Sequence, residues 1–315
     1  MKELNFTDAP PILGDFLNYQ LVIKGKSKNT VREYYYDLRT FLRYLKSREA
    51  DYDNFKSIVI SDVTIDLIKK VNLSVLYEYL SFVNTTLSNA ATARARKVSS
   101  LRSFFKYLTE KAGLLSVNPA LELDTPKIKK ALPKYLSLTE SKKLLNCING
   151  ENFERDYCII TLFLNCGMRL SELTNINIKD IKGDTIRILG KGNKERTVYL
   201  NNACISAINN YLRVRPHDGV KDADALFISR ENRRISGRMV ENIVKKYIKA
   251  AGLDPEKYSP HKLRHTAATL LYLYGDVDIR ILQEILGHEN LNTTEIYTHV
   301  ENKSIKDAVK KHPLS

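Results

Sequence analysis

The sequence predicts a mainly helical protein of two domains, with a small antiparallel β-sheet in the second. Three observations predict it. Apolar residues recur at helical spacing through most of the chain. A stretch rich in proline and lysine interrupts that periodicity after residue 112. Two β-branched runs flank one tight Gly-Asn turn. The expected organisation is a helical domain over 1–112, a linker over 113–135 and a second domain over 136–315. At 315 residues the chain can bury two cores of ordinary size.

The first third reads as helices. Leu13, Phe16, Leu17 and Leu21 repeat at helical spacing, as do Tyr34, Leu38, Phe41, Leu42 and Leu45. A further helix is expected from Leu73 to Val83. Over 90–108, Val98, Leu101, Phe104, Phe105 and Leu108 make one apolar face. Arg94, Arg96, Lys97, Arg102 and Lys106 supply a basic surface on the same helix. Two readings fit it: a core helix with a solvated basic face, or a helix laid into a DNA groove with its cations on phosphates. Asn118-Pro119, Thr125-Pro126 and Leu132-Pro133, with the basic run 127–130, then read as an extended linker.

In the second domain Ser137-Leu138-Thr139-Glu140 offers a helix start with an acid in the first turn. An apolar helix is expected from about Tyr157 to Leu164, stopped by Asn165-Cys166-Gly167. The next helix starts at Arg169-Leu170-Ser171-Glu172-Leu173. The runs 185–189 and 196–200 flank the charged turn 190–195 and read as a hairpin. The remainder is mostly helical, without internal repeats.

Composition narrows the function. The hydrophobic fraction is 43%, and no window approaches the roughly 18 consecutive apolar residues of a membrane span. The first residues, MKELN, lack the apolar run of a signal peptide, so a cytoplasmic protein without membrane partners is expected. Cys147, Cys158, Cys166 and Cys204 form no CxxC pair and no zinc spacing; reduced, mostly buried thiols and no metal are expected. With 50 Lys+Arg against 36 Asp+Glu, the net charge of +14 points to a polyanionic partner. Charge does not separate DNA from RNA or an acidic membrane.

Four separated pieces of the second domain suit one chemistry, transfer at a phosphodiester. Guanidinium groups suit the extra charge on the non-bridging oxygens, which nominates Arg169 and Arg264. Ser259 and Pro260 can open a helix that puts His261 and Arg264 three residues apart on one face, near a helix N-terminus. Lys191, on the hairpin turn, can protonate a leaving oxygen as general acid, and Lys194 lies three residues from it. His261 and His288 can donate to phosphate oxygens or shuttle protons. Tyr297 can attack phosphorus and divide a difficult transfer into two covalent steps. Spacing also suggests that Glu172 orients Arg169.

In this order the residues resemble the tyrosine recombinases, the phage-integrase-like family, and within it the Xer branch. The resemblance covers nearly the whole chain: GMRLSEL holds Arg169, GKGNKER holds Lys191, SPHKLRHTAAT holds His261 and Arg264, and LGHENLNTTEIYTHV holds His288 and Tyr297. It implies a two-domain C-shaped clamp on duplex DNA and strand cleavage through a 3′-phosphotyrosine. Arg169 and Arg264 would bind the scissile phosphate and Lys191 would act as general acid for the 5′ oxygen. His261 would assist proton transfer, His288 would support the transition state, and Tyr297 would be the nucleophile. No metal, nucleotide or other cofactor is implied. The helix carrying Arg94 to Lys106 would face the groove. The implied partners are a double-stranded recombination site and a homo- or hetero-tetramer, linked through a tail over 302–315. A paralogous recombinase or a DNA translocase is a further implied partner. Chromosome dimer resolution is the implied role. Alternatives are an integrase or transposase of a mobile element, a type IB topoisomerase-like enzyme, or a catalytically silent DNA-binding protein.

Overall fold

The computed structural model describes residues 6–50, 54–128, 134–189, 195–275 and 277–287. The chain divides into two compact units, Met1–Lys130 and Ala131–Ser315.

The first unit is helical. It contains α1 (Pro11–Asn18), α2 (Lys28–Ser47), α3 (Ile65–Lys69), α4 (Leu73–Thr85) and α5 (Ala91–Glu110). Ser27 caps α2 by accepting the Thr30 N–H at 3.2 Å, so the helix opens well before the apolar repeat that announces it. Helical spacing alone carries α1 to Leu21. Instead Tyr19–Ile23 winds as a π-helical turn that leaves Val22 and Ile23 exposed. Leu13, Phe16, Leu38, Phe41, Tyr79, Phe104 and Phe105 are fully buried in one core. Phe16 meets Phe104 edge-on at 5.3 Å, which ties α1 to α5.

Lys97 belongs to this core rather than to a surface. Its Nζ lies 2.9 Å from Asp37 Oδ1, with the two side chains 8% and 1% exposed. Ser100 Oγ donates to the other carboxylate oxygen at 2.9 Å. Removing one partner strands a buried charge, which costs about 3–5 kcal/mol. Asp37→Ala is therefore expected to lower the first unit's unfolding free energy by that amount in urea titration. Asp37→Leu combined with Lys97→Met should recover most of it. A loss below about 1 kcal/mol for the single variant would mean that water reaches the pair.

The second unit holds α6 (Leu138–Asn146), α7 (Phe153–Cys166), α8 (Leu170–Thr174), β1 (Ile181–Lys182), β2 (Thr185–Leu189) and β3 (Glu195–Tyr199). It continues with α9 (Asn202–Val214), α10 (Gly237–Ala250), α11 (Pro260–Tyr274) and α12 (Ile279–Leu286). Ser137 and Glu140 make the reciprocal capping box their spacing suggests. The sheet is antiparallel in the order β1-β2-β3, with Thr185 opposite Tyr199 and Leu189 opposite Glu195. The expected hairpin thus gains a third strand, two residues long and too short for a period-2 signal.

α7 starts at Phe153, four residues before the expected Tyr157, because its first turn is polar. Beyond that turn Cys158, Ile159, Ile160, Leu162 and Phe163 are all fully buried, so apolar contact surrounds the helix. Cys158, Cys166 and Cys204 are buried and Cys147 half-buried, all as free thiols. Cys166 and Cys204 place their Sγ atoms 3.6 Å apart; that contact and burial push the Cys166 thiol up. Among the described residues no helix is long and apolar enough to cross a membrane, and no cluster of three or more His, Cys, Asp or Glu could hold a metal ion.

Candidate active site

The site forms where the ends of α7, α11 and α12 meet. Gly167 closes α7 in the left-handed region, at φ 57°, with its N–H on the Phe163 carbonyl. A Cβ there would meet Leu286 Cδ2 at 2.9 Å, so α12 packs close against this turn, and its left-handed backbone angle favours glycine. The reversal brings Arg169 to the N-cap position of α8. Glu172, one turn on, accepts both the Arg169 backbone N–H and its guanidinium at 2.7 Å.

Glu172 is the centre of a charge cluster. Its side chain is 2% exposed. Arg196 of β3 donates to Oε2 at 2.9 Å, and the guanidinium of Arg264 from α11 lies 3.8 Å from the same oxygen. Burial on its own would push the Glu172 carboxyl up. The Arg169 N–H, the Arg196 charge and the Arg169 guanidinium outweigh it and hold the carboxyl below the usual range.

A carboxylate with a depressed folded pKa binds protons less readily in the folded state. Its stabilisation is complete above the unfolded value, about 4.3, and is lost as pH falls through the folded value. The unfolding temperature of the second unit is therefore expected to fall through that acid window, and Glu172→Gln should flatten the decline. An unchanged acid limb in that variant would assign the sensitivity to other carboxylates.

Arg264 is 4% exposed and donates to the carbonyls of Gly167 and Leu286, each at 2.6 Å. Arg169 donates to the Gly287 carbonyl at 3.0 Å. Its side chain is 37% exposed, so it forms the open edge of the cluster. His261 lies one turn before Arg264 on α11, and its ring is exposed. Its Nε2 is 3.0 Å from Nε2 of His265, with the two rings edge-to-face. Desolvation comes first in lowering the His261 pKa, followed by the charges of Lys262, Arg264 and Arg169. Both effects favour the neutral imidazole over the charged one.

Ser259 occupies the N-cap of α11, but its side chain makes no capping hydrogen bond there; Pro260 fills the first turn as expected. The structure therefore brings Arg169, Arg264 and His261 together. Lys191, Lys194, His288, Tyr297 and the tail over 302–315 lie outside the described residues.

The cations expected on a groove-facing helix fare differently. Lys97 is withdrawn into the core by Asp37. Arg96 pairs with Glu33 and Asp37. Arg94 bonds Asn84 and the Asn89 carbonyl, and Arg102 bonds the Leu123 carbonyl and Thr125. Lys106, 65% exposed, lies 3.7 Å from Glu110. Much of the basic face is thus engaged within the first unit. Arg94 and Arg102 anchor chain segments that flank α5.

Sequence reasoning missed Arg196 and His265. For Arg196 a signal was present. Along β3 alternate side chains share a face, and Val198 is buried, so Arg196 points inward with it.

A family model described as the phage integrase family matches residues 134–304, and one described as a phage integrase N-terminal SAM-like domain matches residues 13–112. The chain is 57% identical to a protein named tyrosine recombinase XerC from Caldanaerobacter subterraneus subsp. tengcongensis, over 100% of this chain and 91% of the relative. It is 34% identical to tyrosine recombinase XerD of Proteus mirabilis, over 98% and 94%. The solved XerH site-specific recombinase bound to difH substrate, in a pre-cleavage complex, superposes with a TM-score of 0.71 at 26% identity, over 95% of this chain and 94% of that one.

Proposed function

Because the chain belongs to the phage integrase family, as a tyrosine recombinase of the Xer branch, we propose a residue-level mechanism for its cleavage and rejoining of DNA. The observation that carries it is the convergence of Arg169 and Arg264 on one buried carboxylate, with His261 within reach of both arginine charges.

Arg169 and Arg264 bind the non-bridging oxygens of the scissile phosphate. Glu172 prepays their mutual repulsion and fixes their orientation before DNA arrives. The Tyr297 hydroxyl attacks phosphorus. A P–O bond to the tyrosine forms as the bond to the 5′ oxygen breaks. Lys191 supplies the proton to that departing oxygen, and His261 takes the proton from the attacking phenol. His288 donates to the phosphate in the transition state. The phosphotyrosine conserves the free energy of the broken bond, so rejoining needs no ATP. The 5′ hydroxyl of another strand attacks it and releases the tyrosine.

Duplex DNA carrying a recombination site is the proposed substrate, bound by a multimer of the protein; the similar XerH site-specific recombinase has been solved bound to its difH substrate before and after cleavage. The Xer names of the relatives favour chromosome dimer resolution in the cytoplasm as the setting, with a paralogue or a DNA translocase as activating partner. The test is a nicked duplex carrying a candidate site, incubated with the protein in chelator and without nucleotide, then run on a denaturing gel. A covalent protein–DNA band is the expected result. Binding without a band, on a site that relatives cleave and with the paralogue and the translocase both supplied, would overturn the strand-transfer reading in favour of a silent DNA-binding protein.

A further inference from the structure

Three consecutive carbonyls at the C-terminal end of α12 are each held by a guanidinium. Arg196 donates to Ile285 O at 2.7 Å, Arg264 to Leu286 O at 2.6 Å, and Arg169 to Gly287 O at 3.0 Å. Carbonyls at the end of a helix have no partner within it, and the helix dipole makes that end negative. The three cations come from β3, α11 and the start of α8, so α12 ends in a seat assembled from three elements.

Arg196 has a second role in that seat. Its other terminal nitrogen bonds Glu172, the residue that orients Arg169. Its side chain is 16% exposed. A Cβ on Gly287 would fall 2.8 Å from its Nη1 and 2.9 Å from its Cδ, so the guanidinium packs against the glycine that precedes His288.

We infer that Arg196 is a positioning residue for strand cleavage: it ties the last turn of α12, and so the root of the segment carrying His288 and Tyr297, to the Glu172–Arg169 pair. Only a planar fork bridges a carbonyl on one side and a carboxylate on the other. Lysine, a point charge, reaches one of them. With Arg196 gone, Ile285 O loses its partner and Glu172 loses the cation that shares it with Arg169. The end of α12 and the Glu172–Arg169 side of the phosphate clamp then lose a shared tie, and a displacement near 1 Å costs about 10²-fold in rate.

This inference rests on the strand-transfer reading above. Its test is single-turnover cleavage by the full-length protein and by Arg196→Met and Arg196→Lys, normalised to the folded fraction. Two nicked substrates are needed, one with the ordinary 5′ oxygen and one with a bridging 5′ sulfur, whose departure needs no general acid. Covalent complex formed by the unsubstituted protein tests the reading; the ratio of variant to unsubstituted rate tests the inference. Arg196→Met is expected to cleave about 10²-fold more slowly on both substrates with DNA affinity retained, and Arg196→Lys to recover little. An unchanged normalised rate would reduce Arg196 to packing. A loss confined to the oxygen substrate would assign it instead to the hairpin and Lys191. Either result overturns the inference.

Discussion

Tyr297→Phe is expected to abolish the covalent protein–DNA complex while leaving DNA binding intact. On the proposed mechanism the phenol oxygen is the atom that becomes bonded to phosphorus, and nothing else in the ring can replace it. Loss of a nucleophile that acts with its surrounding machinery costs on the order of 10⁵-fold or more, because the remaining groups have nothing to activate. Affinity is set by phosphate contacts across the duplex, so one hydroxyl contributes little to it. The measurement is a time course of the denaturing-gel band on the nicked substrate, beside a mobility-shift titration. A band that persists in Tyr297→Phe would move the nucleophile to another of the 18 tyrosines. Loss of both band and binding would make Tyr297 a packing residue.

Arg264→Ala is expected to cost both rate and stability. On the proposed mechanism it removes a donor to the phosphate, a loss worth about 10²–10³-fold in a preorganised site. In the fold it strips partners from the carbonyls of Gly167 and Leu286, at about 1–3 kcal/mol for each buried group left unsatisfied. It also takes one cation from beside Glu172. Arg264→Lys keeps the charge but cannot serve two carbonyls that each sit 2.6 Å from a different nitrogen. The lysine variant should therefore fold better than the alanine variant and still cleave poorly. Denaturation curves and single-turnover rates separate the two effects. A lysine variant that cleaves at full rate would mean the site uses charge at this position and not the fork.

Much of this site was legible because its chemistry is written in short local contexts. Gly167 followed by Arg169, and Pro260 followed by His261 and Arg264, announce a helix end and a helix start; the structure uses both to bring side chains together. The Ser137–Glu140 box was equally readable, since a capping box is made within four residues.

What escaped depends on long-range partners. Lys97 reads as one more cation on a basic helix. Only its pairing with Asp37, sixty positions away, makes it a core residue. Arg196 reads as one residue of the second strand of the hairpin, because the carbonyl it holds lies 89 positions further on. β1 escaped because two residues carry no periodicity. The π turn at Tyr19–Ile23 escaped because its apolar residues continue the helical count while the backbone departs from it.

The seat beneath α12 also bears on when the protein becomes able to cut. Arg169 is synthesised 118 positions before the carbonyl it holds, Arg196 89 positions before its own, and Arg264 22 positions before. Contacts of such separation close late, after the loop entropy between them has been met. A chain still emerging from the ribosome thus carries Arg169, Arg196 and Arg264 before the α12 carbonyls that complete their arrangement have been made. On the proposed mechanism the arginines reach their full arrangement only once α12 has been made, so cleavage cannot precede it.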